Sequence, residues 1–160
     1  MTDALSDRQN EWWLRRLPHA EPMRLVQRVL DVEPGERARC TRRADANDWY
    51  FQGHFPGTPV IPAIVLVELL AQTGGLAAAS GTASGTASGT NDTANAPLAM
   101  RVAAFGAFKF PRGAGPGVTL EATARVAGRM GGLYKIEGEV TADGVVVATG
   151  SLTLAEAPPV

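Results

Sequence analysis

Between Phe55 and Asn91 the chain carries one Asp, Glu, Lys or Arg, and that residue is Glu68. It lies within GHFPGTPVIPAIVLVELLAQ, residues 53–72, the opening of the most apolar stretch of the sequence. A segment of this kind has to be buried. An acid buried without a partner is costly, so Glu68 is expected to be paired, protonated or chemically employed. A helix is predicted from about Pro62 to Ala79, with proline at a first position where its missing N–H costs nothing. The helix is apolar on nearly every side, which fits a helix wrapped by a sheet better than one lying on a surface.

The remainder of the chain supplies that sheet. Val118, Leu120, Ala122, Ala124 and Val126 alternate with polar residues, as do Tyr134, Ile136, Gly138 and Val140, and a third run follows from Val145 to Leu154. Gly131-Gly132 and Asp143-Gly144 separate these runs as hairpin turns. Arg24–Val32 and a second segment with Ala38 and Cys40 on one face are further strands, joined through the turn signal Glu33-Pro34-Gly35-Glu36. Two more candidates lie at Leu98–Ala104 and Ala107–Phe110. The arginines of the second segment read as a solvated face. Ser6-Asp7-Arg8-Gln9 is a capping box that opens a short helix ending before Pro18. One buried helix against an antiparallel sheet of about five to seven strands is an α+β arrangement.

At 160 residues, 45% hydrophobic and 19% charged, the chain fits one globular domain, residues 1–160, with an N-terminal helical extension over 1–17. The Ser/Gly/Thr repeats from Ser80 onward cannot bury apolar surface, so residues 80–96 are expected to form a flexible loop inside that domain. A net charge of −1 gives no general attraction to nucleic acid or to an anionic membrane. Glu68, Gln72, Thr73, Gly74 and Gly75 interrupt the apolar run, and no basic anchors follow it, which argues against a membrane span. The polar N-terminus is not a signal peptide, so the expected location is cytoplasmic. A lone cysteine, Cys40, allows neither an intrachain disulfide nor a Cys-rich metal site.

His54 precedes the helix in Gly53-His54-Phe55-Pro56-Gly57, an irregular loop that could hold an imidazole for general base work. Glu68 lies about two turns into the helix. Burial there would raise its pKa and leave a neutral acid able to donate a proton. Helix N–H groups near Ala63 could polarise a carbonyl oxygen. Gln72, four residues beyond Glu68, could orient the carboxyl or be an ordinary helix residue. Taken singly, each of these residues fits a structural role better than a catalytic one.

The stretch FQGHFPGTPVIPAIVLVELLAQ closely resembles the central motif of the FabZ-type 3-hydroxyacyl-acyl-carrier-protein dehydratases, G-H-F-P-G-x-P-x-x-P-G followed by a helix with Glu and then Ala-Gln. Leu17-Pro18-His19, Pro22 and Leu25–Val29 resemble the family's opening, and Phe108-Lys109-Phe110-Pro111 resembles a later strand. The resemblance spans about Leu17 to Leu154. It implies a hot-dog fold and a homodimer, often a trimer of dimers, with His from one subunit and Glu from the other. It implies dehydration of a 3-hydroxyacyl thioester, carried by acyl carrier protein or coenzyme A, in fatty-acid or polyketide-like synthesis. His54 would then be the base and Glu68 the acid, with Gly57, Ala63 and Gln72 binding substrate. Neither metal nor cofactor is implied, because elimination moves only protons and water.

Ala63 stands where the family usually has Gly, and Gln27 where it often has Asp. Trp49-Tyr50 either crowds the acyl tunnel or joins the core. His19 is expected to support the fold. Arg42, Arg43, Arg101, Lys109, Arg112 and Arg129 form either a basic rim for an acidic carrier or ordinary solvated charges. Two other functions suit the same fold: an acyl thioesterase, which needs Glu68 ionised, and a non-catalytic acyl-binding subunit.

Overall fold

The computed structural model describes residues 5–79 and 98–157. In chain order these form α1 (Asp7–Arg16), β1 (Arg28–Glu33), β2 (Arg37–Arg43), a 3-10 turn (Trp49–Phe51), α2 (Ala63–Ala79), β3 (Met100–Lys109), β4 (Thr119–Met130), β5 (Leu133–Ala142) and β6 (Val145–Glu156). The strands make one antiparallel sheet in the order β1-β2-β4-β5-β6-β3. Helix α2 packs across β2, β4, β5 and β6. This is the hot-dog arrangement, and the expected α+β class holds. The loop expected over 80–96 lies outside the described residues.

The sheet curls because long side chains of α2 fill its concave face. Leu69, Leu70 and Leu76 are fully buried against Leu120, Ile136 and Leu152. Each such side chain contributes roughly 1.5–3 kcal/mol by leaving water. Close approach is possible at Gly138, where an added Cβ would run into Thr123 O and the Leu70 side chain. The Asp143-Gly144 hairpin has positive φ at both residues, 46° and 83°, as a two-residue hairpin turn requires.

Two expectations about strands need correction. The candidates at 98–104 and 107–110 are a single strand, β3, whose register slips at Val102/Ala104 and again at Phe105/Phe108. These bulges interrupt the alternation and made one strand look like two. The arginine face of β2 is not simply solvated: Arg37 and Arg39 share Asp31, and Arg39 also binds Glu121.

The two sheet edges differ. Along β1, Asn10 of α1 accepts from Val29 N at 2.7 Å, and Leu5 N donates to Leu30 O. The capping box that starts α1 is formed in full, with Gln9 N on Ser6 Oγ and Ser6 N on Gln9 Oε1. Strand β3 has no such cover among the described residues, and Phe105 at its middle is 65% exposed.

Candidate active site

The loop before α2 folds back on itself. Phe55 and Thr58 exchange backbone bonds (Phe55 N to Thr58 O, Thr58 N to Phe55 O), and Val60 N donates to His54 O at 2.9 Å. Gly53 and Gly57 supply the positive φ values of 80° and 73° that this path needs. The ring of His54 is thereby brought against its own loop, with Nδ1 2.8 Å from Val60 O. A carbonyl oxygen only accepts, so Nδ1 carries the proton and Nε2 keeps its lone pair. His54 is partly exposed and stacks on Phe55, with ring centres 4.1 Å apart.

Glu68 is held very differently. Gln72 Nε2 donates to Glu68 Oε1 at 2.9 Å, and His19 Nε2 approaches the same oxygen at 3.3 Å. The side chain is 28% exposed. Burial is the largest single influence on this carboxyl and pushes its pKa up. Gln72 and His19, both against Oε1, together outweigh it, so Glu68 lies below its ordinary value in the single chain. The expectation of a raised value was therefore wrong in sign. It counted the apolar neighbours on the helix and missed the donors that the fold delivers.

Gln72 is 2% exposed and its amide is fully committed. Nε2 donates to Met23 O as well as to Glu68, while Oε1 accepts from Leu25 N and Val26 N. It orients Glu68 and has no donor or acceptor left for a substrate. Ala63 opens α2 at an exposed position, one residue later than expected, and in the first turn Val65 N donates to Pro62 O at 3.0 Å. Gly57 is exposed on the His54 loop.

A cavity of about 300 Å³ runs between α2 and β3. Glu68, His19 and Gln72 are its polar corner, Leu17, Met100 and Leu154 line its apolar part, and Arg101 also reaches it. A smaller cavity of about 160 Å³ lies on the other side of Glu68, against Met23, Trp49 and Ile64. Neither includes His54. One chain thus brings Glu68, His19 and Gln72 together and leaves His54 apart. Sequence reasoning gave His19 only a fold-supporting role. The Leu-Pro-His motif singled it out, but its contact with Glu68 spans 49 positions and has no local signature.

Arg42 also departs from expectation. It is not part of a solvated rim but 5% exposed, donating to Asp48, Tyr50 OH and Leu25 O. Tyr50 is core, whereas Trp49 stays half-exposed with its indole N–H on Pro22 O. Arg129 stacks on Tyr134. Burial holds the Cys40 thiol at about 12, so it is a core residue without reactivity.

A helix wrapped by a sheet defines a hot-dog protein, and here an imidazole stands before the helix and a carboxyl within it. Residues 17–151 match the model of the FabA-like domain, and the chain belongs to that family. It is 34% identical to a 3-hydroxyacyl-[acyl-carrier-protein] dehydratase FabZ of Syntrophotalea carbinolica, over 91% of this chain and 92% of that one. A FabZ of Roseiflexus castenholzii is 35% identical over 87% and 90%. Among solved structures, the dehydratase heterocomplex ApeI:P of Xenorhabdus doucetiae shares the fold, with a TM-score of 0.73 at 19% identity over 91% of both chains. No helix among the described residues is long and apolar enough to cross a membrane.

Proposed function

We propose that this chain dehydrates 3-hydroxyacyl thioesters, presented by acyl carrier protein, to trans-2-enoyl thioesters in fatty-acid or related acyl-chain synthesis. The observation that carries the reading is the bond from His54 Nδ1 to Val60 O, which leaves Nε2 as the basic nitrogen. His54 Nε2 takes the C2 proton, and its electron pair becomes the C2–C3 double bond. The C3–O bond breaks, and Glu68 gives a proton to the departing oxygen, which leaves as water. N–H groups near Gly57 and Ala63 steady the thioester oxygen as negative charge develops on it. The acyl chain lies in the cavity beside Glu68.

A second copy of the chain completes the site. The bare edge of β3, with Phe105 exposed, supports pairing with the β3 of another copy, since an uncovered strand edge is a template for a second strand. His54 of one copy then meets Glu68 of the other. The added burial acts on Glu68 in the direction of protonation, which dehydration needs. Pairs of this kind can assemble further into a trimer of dimers. The protein works in the cytoplasm, and the carrier docks by charge on the side of Arg101 and Lys109.

The donors on Glu68 favour one other reading. A carboxyl held below its ordinary value suits activation of water, as in thioester hydrolysis. Both products can be followed in one experiment. Short 3-hydroxyacyl thioesters of carrier protein and of coenzyme A are given to wild type, His54→Ala and Glu68→Gln. The expected result is enoyl absorbance in wild type and a loss of roughly 10²–10⁴-fold in each variant. Free thiol appearing instead would move the assignment to hydrolysis. Tight binding of the thioester without either product would make the chain a binding subunit.

A further inference from the structure

We infer that His19 is a positioning residue which, together with Gln72, divides the duties of the two Glu68 oxygens: Gln72 donates to Oε1 and His19 Nε2 stands against the same atom, so that Oε2 carries the proton given to the substrate. The inference rests on the dehydratase reading above.

Among the described residues, the hydrogen bond and the ion pair of Glu68 both end on Oε1. A protonated carboxyl has one oxygen that accepts and one that donates. The Gln72 N–H on Oε1, with His19 Nε2 3.3 Å from the same atom, makes it the accepting oxygen and assigns the proton to Oε2. Without that division the proton would be shared between two positions, only one of which faces the departing hydroxyl.

The donors themselves cannot turn. A flipped Gln72 amide would set N–H against the N–H groups of Leu25 and Val26, and oxygen against Met23 O and Glu68. For His19, Nδ1 is buried with no hydrogen-bond partner among the described residues. The neutral ring with its proton on Nε2 leaves no buried donor unpaired, and that nitrogen lies 3.3 Å from Glu68 Oε1. Behind them stands Arg42, whose NH1 donates to Leu25 O at 3.2 Å while the N–H of the same residue donates to Gln72 at 2.9 Å. Asp48 fixes the other end of Arg42 at 2.7 Å. The clamp thus reaches from β2 through Leu25 to the acid.

The groups that face Glu68 are few. His19 comes from the segment before β1, Gln72 from α2 itself, and Arg101 from β3 across the cavity. The smaller cavity on its other side is otherwise lined by apolar and aromatic side chains, Met23, Leu25, Trp49, Ile64 and Val65. In the proposed dimer, His54 of the second copy joins them.

The test is the pH dependence of kcat and KM for wild type, His19→Leu and His19→Gln. A glutamine amide reaches close to the position of Nε2 and donates without an ionising ring. In His19→Leu, kcat should fall about tenfold, the worth of one hydrogen bond to a charged group, with KM within about twofold. Its alkaline limb should move to higher pH, because an acid that loses a donor to its anion holds its proton longer. His19→Gln should return the limb to the wild-type position. A limb that stays in place in a folded His19→Leu, or a change confined to KM, would overturn the inference. Wild type without turnover would sink the dehydratase reading instead. The clamp would then be judged by carbon-13 NMR titration of the Glu68 carboxyl in the same proteins. A midpoint that rises in the leucine variant and returns in the glutamine variant supports the clamp, and an unchanged midpoint removes it.

Discussion

His54 and His19 are the two histidines of the chain, and the fold has used up opposite nitrogens of their rings. His54 spends Nδ1 on Val60 O, six residues away, and keeps Nε2 open. His19 sets Nε2 3.3 Å from Glu68 and buries Nδ1 with no partner among the described residues. In the proposed dehydratase reading the first is therefore the base available to substrate, while the second stands against another side chain. What an imidazole can do depends less on its presence in a site than on which nitrogen the surrounding backbone has already claimed. The supports differ too: a short loop shaped by two glycines stands behind His54, whereas a network joining β2, the segment before β1 and α2 stands behind His19 and Glu68.

That contrast can be broken from either side. Arg42→Met should have the larger effect, since it takes the cationic partner from Asp48, which keeps only Tyr50 OH and Asp45 N, and the side-chain donor from Leu25 O. Removing one member of a buried pair costs about 3–5 kcal/mol, to be read from the urea midpoint. Adding Asp48→Asn should recover part of it, and a loss under about 1 kcal/mol would mean the network is not a keystone. Gly57→Ala should cost less, about 1–2 kcal/mol, the penalty of a Cβ at positive φ. The backbone has φ of 73° there, and open space surrounds the added methyl. Its effect should fall on kcat through the His54 loop while the Glu68 titration stays as in wild type. A shifted Glu68 titration in Gly57→Ala would show that the two supports are coupled.

The same contrast governs what could be read in the sequence. The His54 loop, the helix and the hairpins are local: their glycines, prolines and alternation lie within a few residues of the structure they cause, and the family motif marks them. The capping box at Ser6–Gln9 was legible for that reason. The bulged β3 was legible as strand but not as one strand, because two register slips break its period. The clamp was not legible. Its bonds join Gln72 to Leu25, His19 to Glu68 and Arg42 to Asp48 and Leu25, and most of these exist only once the sheet has wrapped the helix. For the same reason Glu68 was assigned a raised pKa: its neighbours on the helix were visible, and its donors were not.

The smallest effect expected is the most diagnostic for that sign. The Glu68 carboxyl lies below its ordinary 4.5 in the folded single chain, while the unfolded chain keeps the ordinary value. The ionised form therefore favours folding. Its contribution is complete above about 4.5 and is lost as pH falls through the depressed folded value. Urea midpoints measured between about pH 3 and 6 should fall on the acid side in wild type, and Glu68→Gln should flatten that fall. Gly57→Ala should keep the fall, since it touches only the His54 support. His19→Leu should shrink it, because burial would then be opposed by Gln72 alone. If Glu68→Gln instead steepens the fall, the folded value lies above the ordinary one in the assembled protein. Burial by the second copy would then outweigh the two donors on Oε1, and the acid would enter the reaction already protonated.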